Sequence, residues 1–271
     1  MARDRTILIT GASSGIGRAA AELFHERGWN VVGTARDPAR GDRLARDGLK
    51  LVAMELASRD SIYNGIADAL ACFGGVDVIV NNAGFGLFGF FEEATEPMLR
   101  EQIETNLMGP IHAIRAILPH FREKRDGMII NVTSLAAFVG PPLNSYYAAT
   151  KWGLEGLSES LAAELKPFGI RCRIVEPGRT ATAYHDRWND HETNPIADYD
   201  SIRERVFSAI TPDLSSAFTP DVVAETIWRA ATEQGPRMRF PGSPDAQAVF
   251  DMRDRLGSEG FVAAMGERFP T

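Results

Sequence analysis

The stretch NSYYAATK, residues 144–151, sets two tyrosines side by side with a lysine shortly after them. A phenol can give or take a proton. A nearby ammonium favours its ionised form and draws its pKa down from about 10 toward the working range of a general acid or base. Geometry chooses between the tyrosines. Ala148 and Ala149 are strong helix formers, and GLEGLSESLAAELK continues with apolar residues three and four apart, so the segment reads as a helix. Residues i and i+4 share a helix face. Lys151 is i+4 from Tyr147 and i+5 from Tyr146, so Tyr147 is the tyrosine that shares a surface with the amine. The same spacing also serves as a plain surface pair, and the rest of the chain must supply something for the phenol to act on.

TGASSGIG, residues 10–17, directly follows the apolar, β-branched run TILIT and opens a helix. At such a strand-to-helix turn, Gly11 permits the sharp reversal, Gly15 lets the backbone approach a pyrophosphate, and Gly17 lets the helix pack close to the sheet. Free N–H groups around Ile16 and the positive end of the helix then face phosphates, with Ser13 and Ser14 adding hydroxyl donors. The spacing is GxxxGxG rather than the common GxGxxG.

These groups need elements to position them. Strands are expected at 6–10, 30–35, 49–55, 76–81, 127–134 and 169–178, and helices at 15–27, 38–48, 59–73 and 96–123, besides the Tyr147 helix. Pro119 suggests a kink or late termination in the long helix. Strict alternation of strand and helix argues for an α/β protein: one doubly wound parallel sheet of Rossmann type with helices on both faces, joined by right-handed crossovers. Residues 179–218 break the pattern; they are polar, mixed in charge and carry Trp188, Pro195 and Pro212, which reads as an excursion of short helices and loop. Thr219 followed by Pro220 is a good helix start, RMRFPG suggests a last strand, and the tail looks helical. No repeat or linker divides the chain, so residues 1–271 are expected to form one domain.

The bulk numbers narrow the classes. With 44% hydrophobic and 24% charged residues, the 271-residue chain has ample material for a core. The net charge of −7 and the absence of a basic run disfavour nucleic acid and anionic membrane as partners. Two separated cysteines and five scattered histidines offer no metal site and no disulfide. No apolar run reaches about 18 residues, and the N-terminus lacks the pattern of a signal peptide, so a reducing cytoplasm is the expected compartment.

TGASSGIG, NNAG at 81–84, Asn106, Ser134, YAATK at 147–151 and PG at 177–178 occur in that order. Together they resemble the short-chain dehydrogenase/reductase family, from residue 5 to about 182 closely and more loosely beyond. The resemblance implies catalysis by Asn106, Ser134, Tyr147 and Lys151. Tyr147 would exchange a proton with a carbonyl or alcohol oxygen, and Ser134 would hydrogen-bond that oxygen. Lys151 would lower the tyrosine pKa and hold the nicotinamide ribose, and Asn106 would bind a water of a proton relay. Asn82, Ala83 and Gly84 would lie beneath the cofactor, and Thr180 and Thr182, after Pro177 and Gly178, would contact the nicotinamide amide. Leu56 would meet the adenine. After the second strand, uncharged Ala35 followed by Arg36 resembles the NADP pattern, in which a guanidinium grips the 2′-phosphate. Adjacent Asp37, and Ser14 where many relatives carry a second basic residue, keep NAD(H) as the alternative to NADP(H).

Phe85, Leu87, Phe88, Phe138, Val139 and Leu143 are candidate walls of an apolar substrate pocket, with Tyr146 lining it or packing in the core. The 179–218 excursion would form a lid bringing Tyr184, His185 and Trp188 near the mouth. By resemblance to hydroxysteroid and retinol dehydrogenases, the expected substrate is a hydrophobic carbonyl compound or alcohol. The long helix and the Tyr147 helix resemble those that pair subunits in the family, so a homodimer or homotetramer is expected. Two other readings share the scaffold. An epimerase or dehydratase needs an extended substrate domain for which this chain is too short, and a non-catalytic NADP-binding regulator typically loses the serine, tyrosine or lysine retained here.

Overall fold

The computed structural model describes residues 5–41, 44–182, 194–210 and 217–267. Seven strands, all parallel, form one sheet: β1 (Thr6–Ile9), β2 (Asn30–Ala35), β3 (Leu49–Ala53), β4 (Val78–Asn81), β5 (Gly127–Val132), β6 (Ile170–Glu176) and β7 (Arg239–Pro241). Their order is β3-β2-β1-β4-β5-β6-β7. The chain leaves β1 in one direction to build β2 and β3, then returns to β1's other side with β4. That reversal opens a crevice outside the carboxyl ends of β1 and β4, where folds of this kind hold ligands.

The strands are apolar on both sides because both sides are covered. Ile7 and Ile9 on β1 enter one core with Phe24 of α1 (Gly15–Glu26) and Val223 and Ile227 of α7 (Pro220–Thr232). Leu8, between them, enters the opposite core with Ile62 and Ile66 of α2 (Arg59–Phe73) and Ile117 and Phe121 of α4 (Gly109–Lys124). The expected start of α7 is present, with Thr219 at the N-cap and Pro220 in the first turn. The tail forms α8 (Pro244–Gly266), broken in its regular geometry at Gly257 (φ 67°). Among the described residues, no helix is long and apolar enough to cross a membrane.

Two expectations change. The helix expected over 38–48 is a single 3₁₀ turn, Pro38–Gly41. Beyond it, the main chains of Arg46 and Leu49 bond to each other in both directions around Gly48 at φ 75°, and this tight reversal feeds β3 directly. The long helix is three pieces: α3 (Glu96–Ile103), a π-turn at Glu104–Met108, and α4. Pro119 lies inside α4, which runs five residues further to Lys124. Such a π-turn is a common mark of a functional site, and Asn106 sits at its centre.

Of the expected excursion, residues 183–193 and 211–216, and with them Tyr184, His185 and Trp188, lie outside the described residues. The described part includes α6 (Asp200–Ile210). Buried Glu93 anchors it: its side chain accepts from the Ile196 N–H (2.9 Å) and from Arg203 Nη1 (2.9 Å), while its carbonyl accepts from the Asn194 N–H (3.0 Å). Tyr199 stacks on Phe90 with ring centres 4.4 Å apart.

Candidate active site

A cleft of about 610 Å³ opens over the carboxyl ends of the strands. Every residue singled out above for catalysis or cofactor binding lines it, apart from Gly17 and Asn106. The glycine loop forms its floor at one end. Gly11 (φ 69°) and Gly15 (φ 54°) adopt left-handed backbone that favours glycine. A Cβ at Gly17 would lie 2.3 Å from the Gly11 carbonyl oxygen and 2.6 Å from Asn82 Nδ2, so this glycine lets the first helical turn close onto its own loop and the Asn82 side chain. Ser14 occupies the N-cap position of α1 in extended geometry, and its hydroxyl makes no capping bond.

Thr10, absent from the sequence expectations, ties this loop to the NNAG segment. Its Oγ1 accepts from the N–H groups of Asn82 and Ala83, both at 3.0 Å, and its carbonyl accepts from Asn82 Nδ2 at 2.9 Å. A second tie crosses the sheet: Asn81 Nδ2 donates to Asn131 Oδ1, and Asn131 Nδ2 to Ser158 Oγ, each at 2.8 Å. That chain pins β4 and β5 to α5 (Ser145–Leu165), the helix of the paired tyrosines. The segment after Gly84 is strapped from the long helix. Asn106 Oδ1 accepts from the Phe85 N–H (3.1 Å) and its Nδ2 donates to the Phe85 carbonyl (2.6 Å). Gln102, one turn earlier and also unforeseen, bonds the Phe85 carbonyl (2.8 Å) and the Leu87 N–H (2.7 Å).

The two tyrosines part company on α5. Tyr146 turns to the rim, where its hydroxyl donates to the Phe91 carbonyl (2.9 Å) and its ring stacks on Phe91. Tyr147 is buried, lines the cleft, and has the Lys151 ammonium 5.6 Å from its ring centre. Lys151 is buried too, and its Nζ donates to the Val132 carbonyl at 2.9 Å. Burial lowers its pKa to about 8, with the charge of Glu155 working in the other direction; a value near 8 leaves it protonated at neutral pH. Ser134 ends the β5 side of the cleft, and its Oγ accepts from the Ala136 N–H at 3.1 Å.

At the far wall, the Pro177–Gly178–Arg179 turn is held from the start of α8. The Gly178 N–H donates to Ser243 Oγ (3.1 Å) and the Arg179 N–H to Asp245 Oδ2 (2.9 Å). Thr182 packs its methyl 3.3 Å from where a Gly15 Cβ would stand, which joins this wall to the glycine loop. Near the end of β3, Leu56 is buried at the cleft edge, and Arg36, after β2, is exposed along it. Asp37 Oδ1 accepts from the Ala39 N–H at 3.0 Å, capping the short 3₁₀ turn.

The expected substrate walls divide. Phe85 and Phe88 line the cleft, joined by Leu135, Ala136, Pro141 and Pro142. Leu87, Leu143 and Tyr146 line a separate small hollow with Phe90 and Met98. Phe138 is not among the cleft residues; it packs on Phe250 of α8 (4.4 Å), beneath the Arg253 guanidinium. Val139 is half-buried and likewise does not line the cleft.

The family model described as short chain dehydrogenase matches residues 5–193. The 3-ketodihydrosphingosine reductase of Bacteroides thetaiotaomicron is 33% identical over 249 residues, 92% of this chain and 91% of that protein. Human retinol dehydrogenase 8 is 36% identical over 198 residues, 69% of this chain and 62% of that protein. A short-chain dehydrogenase from Streptomyces avermitilis superposes with a TM-score of 0.81 at 33% identity, covering 97% of this chain and 99% of its own. Two further solved structures hold nicotinamide cofactors. A 3-ketoacyl-(acyl-carrier-protein) reductase from Brucella melitensis contains NADH (26% identity, TM-score 0.73, 90% of this chain and 99% of that one). A metagenomic short-chain oxidoreductase contains NADP (29% identity, TM-score 0.69, 87% and 94%).

One buried acid at this site has a measurable signature. Glu176 ends β6 just before Pro177, is fully buried, and among the described residues neither of its carboxyl oxygens has a hydrogen-bond partner. Arg239 Nε stands 3.6 Å away. Burial first, then the charge of Glu155, push its pKa up to about 9. From the unfolded value of about 4.3 up to the folded value, the folded chain holds a proton that the unfolded chain has released, so stability falls as pH rises through that window. Glu176→Gln keeps the shape and removes the titration. The difference in Tm, variant minus wild type, is expected to grow by about 3 °C or more between about pH 5 and about pH 8. A difference independent of pH would show that Glu176 is ionised in the folded chain.

Proposed function

The chain belongs to the short chain dehydrogenase family and is an NAD(P)-dependent oxidoreductase, and from that premise we propose that it interconverts a hydrophobic carbonyl compound and its alcohol with NADP(H). The observation that carries this reading is the convergence, in one cleft, of the glycine loop with Ser134, Tyr147 and buried Lys151. The residues fit a dinucleotide. Left-handed glycines and the start of α1 present main-chain N–H groups where phosphates would lie, and the cleft volume of about 610 Å³ is within the range of ligand sites.

The cofactor, when bound, supplies or accepts the hydride at its nicotinamide C4. The chain does the rest. Tyr147 gives its phenolic proton to the carbonyl oxygen in reduction and takes a proton from the alcohol in oxidation. Ser134 accepts from Ala136, which leaves its own O–H free to donate to that same oxygen. The Lys151 ammonium favours the phenolate and would hold the ribose hydroxyls of the cofactor. Asn106 is strapped to Phe85 through both ends of its amide and would bind the water of a proton relay. Asn82, Ala83, Gly84, Thr180 and Thr182 line the cleft and would hold the nicotinamide half.

Arg36 supports NADP(H): its guanidinium borders the cleft, while Asp37 turns a carboxyl oxygen to the Ala39 N–H. Phe85, Phe88, Leu135 and the two prolines support an apolar substrate. So do relatives named for retinol and for 3-ketodihydrosphingosine. The docking of Asn194, Ile196 and Arg203 on Glu93 supports reading the 179–218 excursion as a substrate lid. Exposed Ile103 on α3 and Trp152 on α5 support a homodimer or homotetramer paired through these helices.

NADPH binding followed by its fluorescence, with turnover on a panel of lipid ketones and alcohols that includes all-trans-retinol, tests the reading. Tyr147→Phe is expected to lower turnover by about 100-fold or more with cofactor affinity nearly unchanged, and Tyr146→Phe to keep most activity. The reverse pattern would place the acid/base on the wrong tyrosine, and binding without turnover across the panel would favour a regulator. Arg36→Ala is expected to weaken NADP(H) binding about tenfold or more and NAD(H) binding little; equal losses would remove the NADP assignment.

A further inference from the structure

Tyr147, Lys151 and Glu155 follow one another at i, i+4 and i+8, so they form one row along a face of α5. All three are buried. Glu155 reaches across to two other elements of the site. Its Oε1 accepts from Thr133 Oγ1 at 2.7 Å, and Thr133 immediately precedes Ser134. Its Oε2 accepts from Arg239 Nη2 on β7 at 3.0 Å, and the same Nη2 also bonds Glu159 at 2.6 Å. Lys151, by contrast, is a fully desolvated ammonium resting on the Val132 carbonyl, and a buried charge of this kind requires an opposing one. Glu155 is the carboxylate whose charge acts on it.

We propose that Glu155 is a positioning residue for the reaction: its carboxylate keeps Lys151 charged and locks the Tyr147–Lys151 face of α5 against the strand end that carries Ser134. This rests on the reading of Tyr147 and Lys151 as the acid/base pair and adds a member to it. Two contacts favour an ionised Glu155, the Thr133 hydroxyl and the Arg239 guanidinium. Burial raises the Glu155 pKa above the usual carboxylate range and the charge of Glu159 adds to that; the bonds from Thr133 and Arg239 work against it, toward the carboxylate that the proposal requires. Glu176 on β6 is driven neutral, so it leaves the Arg239 charge to Glu155 and Glu159. Cys172 on β6 has its thiol pushed up to about 12 by burial and stays neutral. Glu101 on α3 and Glu104 in the π-turn, the elements packed on the other side of α5, are exposed to solvent.

Alcohol oxidation separates the groups. Its acid limb reports Tyr147 gaining a proton and its alkaline limb Lys151 losing one, as macroscopic values of the coupled pair. In Glu155→Gln the opposing charge is gone, Lys151 releases its proton earlier, and the alkaline limb of all-trans-retinol oxidation (or of the panel alcohol oxidised fastest) is expected to move down by about one pH unit. Glu155→Asp, which keeps the charge, restores most of that limb. Thr133→Val, which removes the bond favouring the carboxylate, moves it the same way by less, and it decides the matter if Glu155→Gln does not fold. Limbs that stay in place while the whole profile drops would assign Glu155 a packing role alone and overturn the proposal, as would unaltered activity. Tyr147→Phe is the control: if it retains turnover, the acid/base reading has failed, whereas an inactive Tyr147→Phe with an unmoved limb in Glu155→Gln and Thr133→Val removes only the role of Glu155.

Discussion

A buried ammonium beside a phenol is the constraint around which the site is built. Taking a lysine out of water favours its neutral form, and Lys151 accordingly loses affinity for its proton. Yet in the proposed reading the amine serves Tyr147 only while charged. The structure meets both demands at once. It gives the ammonium a carbonyl to rest on, at Val132, and sets a carboxylate one helical turn further along the same face. The cost of burying Glu155 is opposed by Thr133 and Arg239, so the charged contacts around Lys151 extend from α5 across β5 to β7.

The rest of the fold brings the other parts to this point and holds them still. Parallel strands end on one side of the sheet, and the reversal between β1 and β4 leaves a crevice there. Cross-ties fix the strand ends relative to one another: Thr10 to Asn82 and Ala83, Asn81 to Asn131 to Ser158, Asn106 and Gln102 to the main chain at Phe85 and Leu87. These are buried or partly buried polar contacts, the kind whose geometry is hard to change piecemeal. The wall at Pro177–Arg179 is secured by Ser243 and Asp245, which lie beyond the residues matched by the family model. The C-terminal helix therefore helps to shape the cleft through that turn.

What the sequence revealed was local. The choice of Tyr147 over Tyr146 as partner of the lysine follows from helical periodicity alone, and the structure places the first in the cleft and the second against Phe91. The glycine loop is legible because its residues act on their own turn. Other features depend on partners far along the chain. Residues 38–48 carry a helix-like pattern, but the mutual bonds of Arg46 and Leu49 around Gly48 end it. Phe138 looks like a pocket wall until α8, more than a hundred residues later, supplies Phe250 and Arg253 to pack on it. The π-turn at Asn106 and the tie from Thr10 to Asn82 likewise join segments that periodicity treats separately.

The most direct measurement is the ultraviolet titration of tyrosinate in the NADP⁺ complex, recorded as wild type minus Tyr147→Phe. A buried ammonium that favours the phenolate predicts one tyrosine ionising well below the ordinary value of about 10, and a shift back toward that value in Lys151→Met. A difference spectrum that titrates near the ordinary value, or that is the same with and without the lysine, would contradict it.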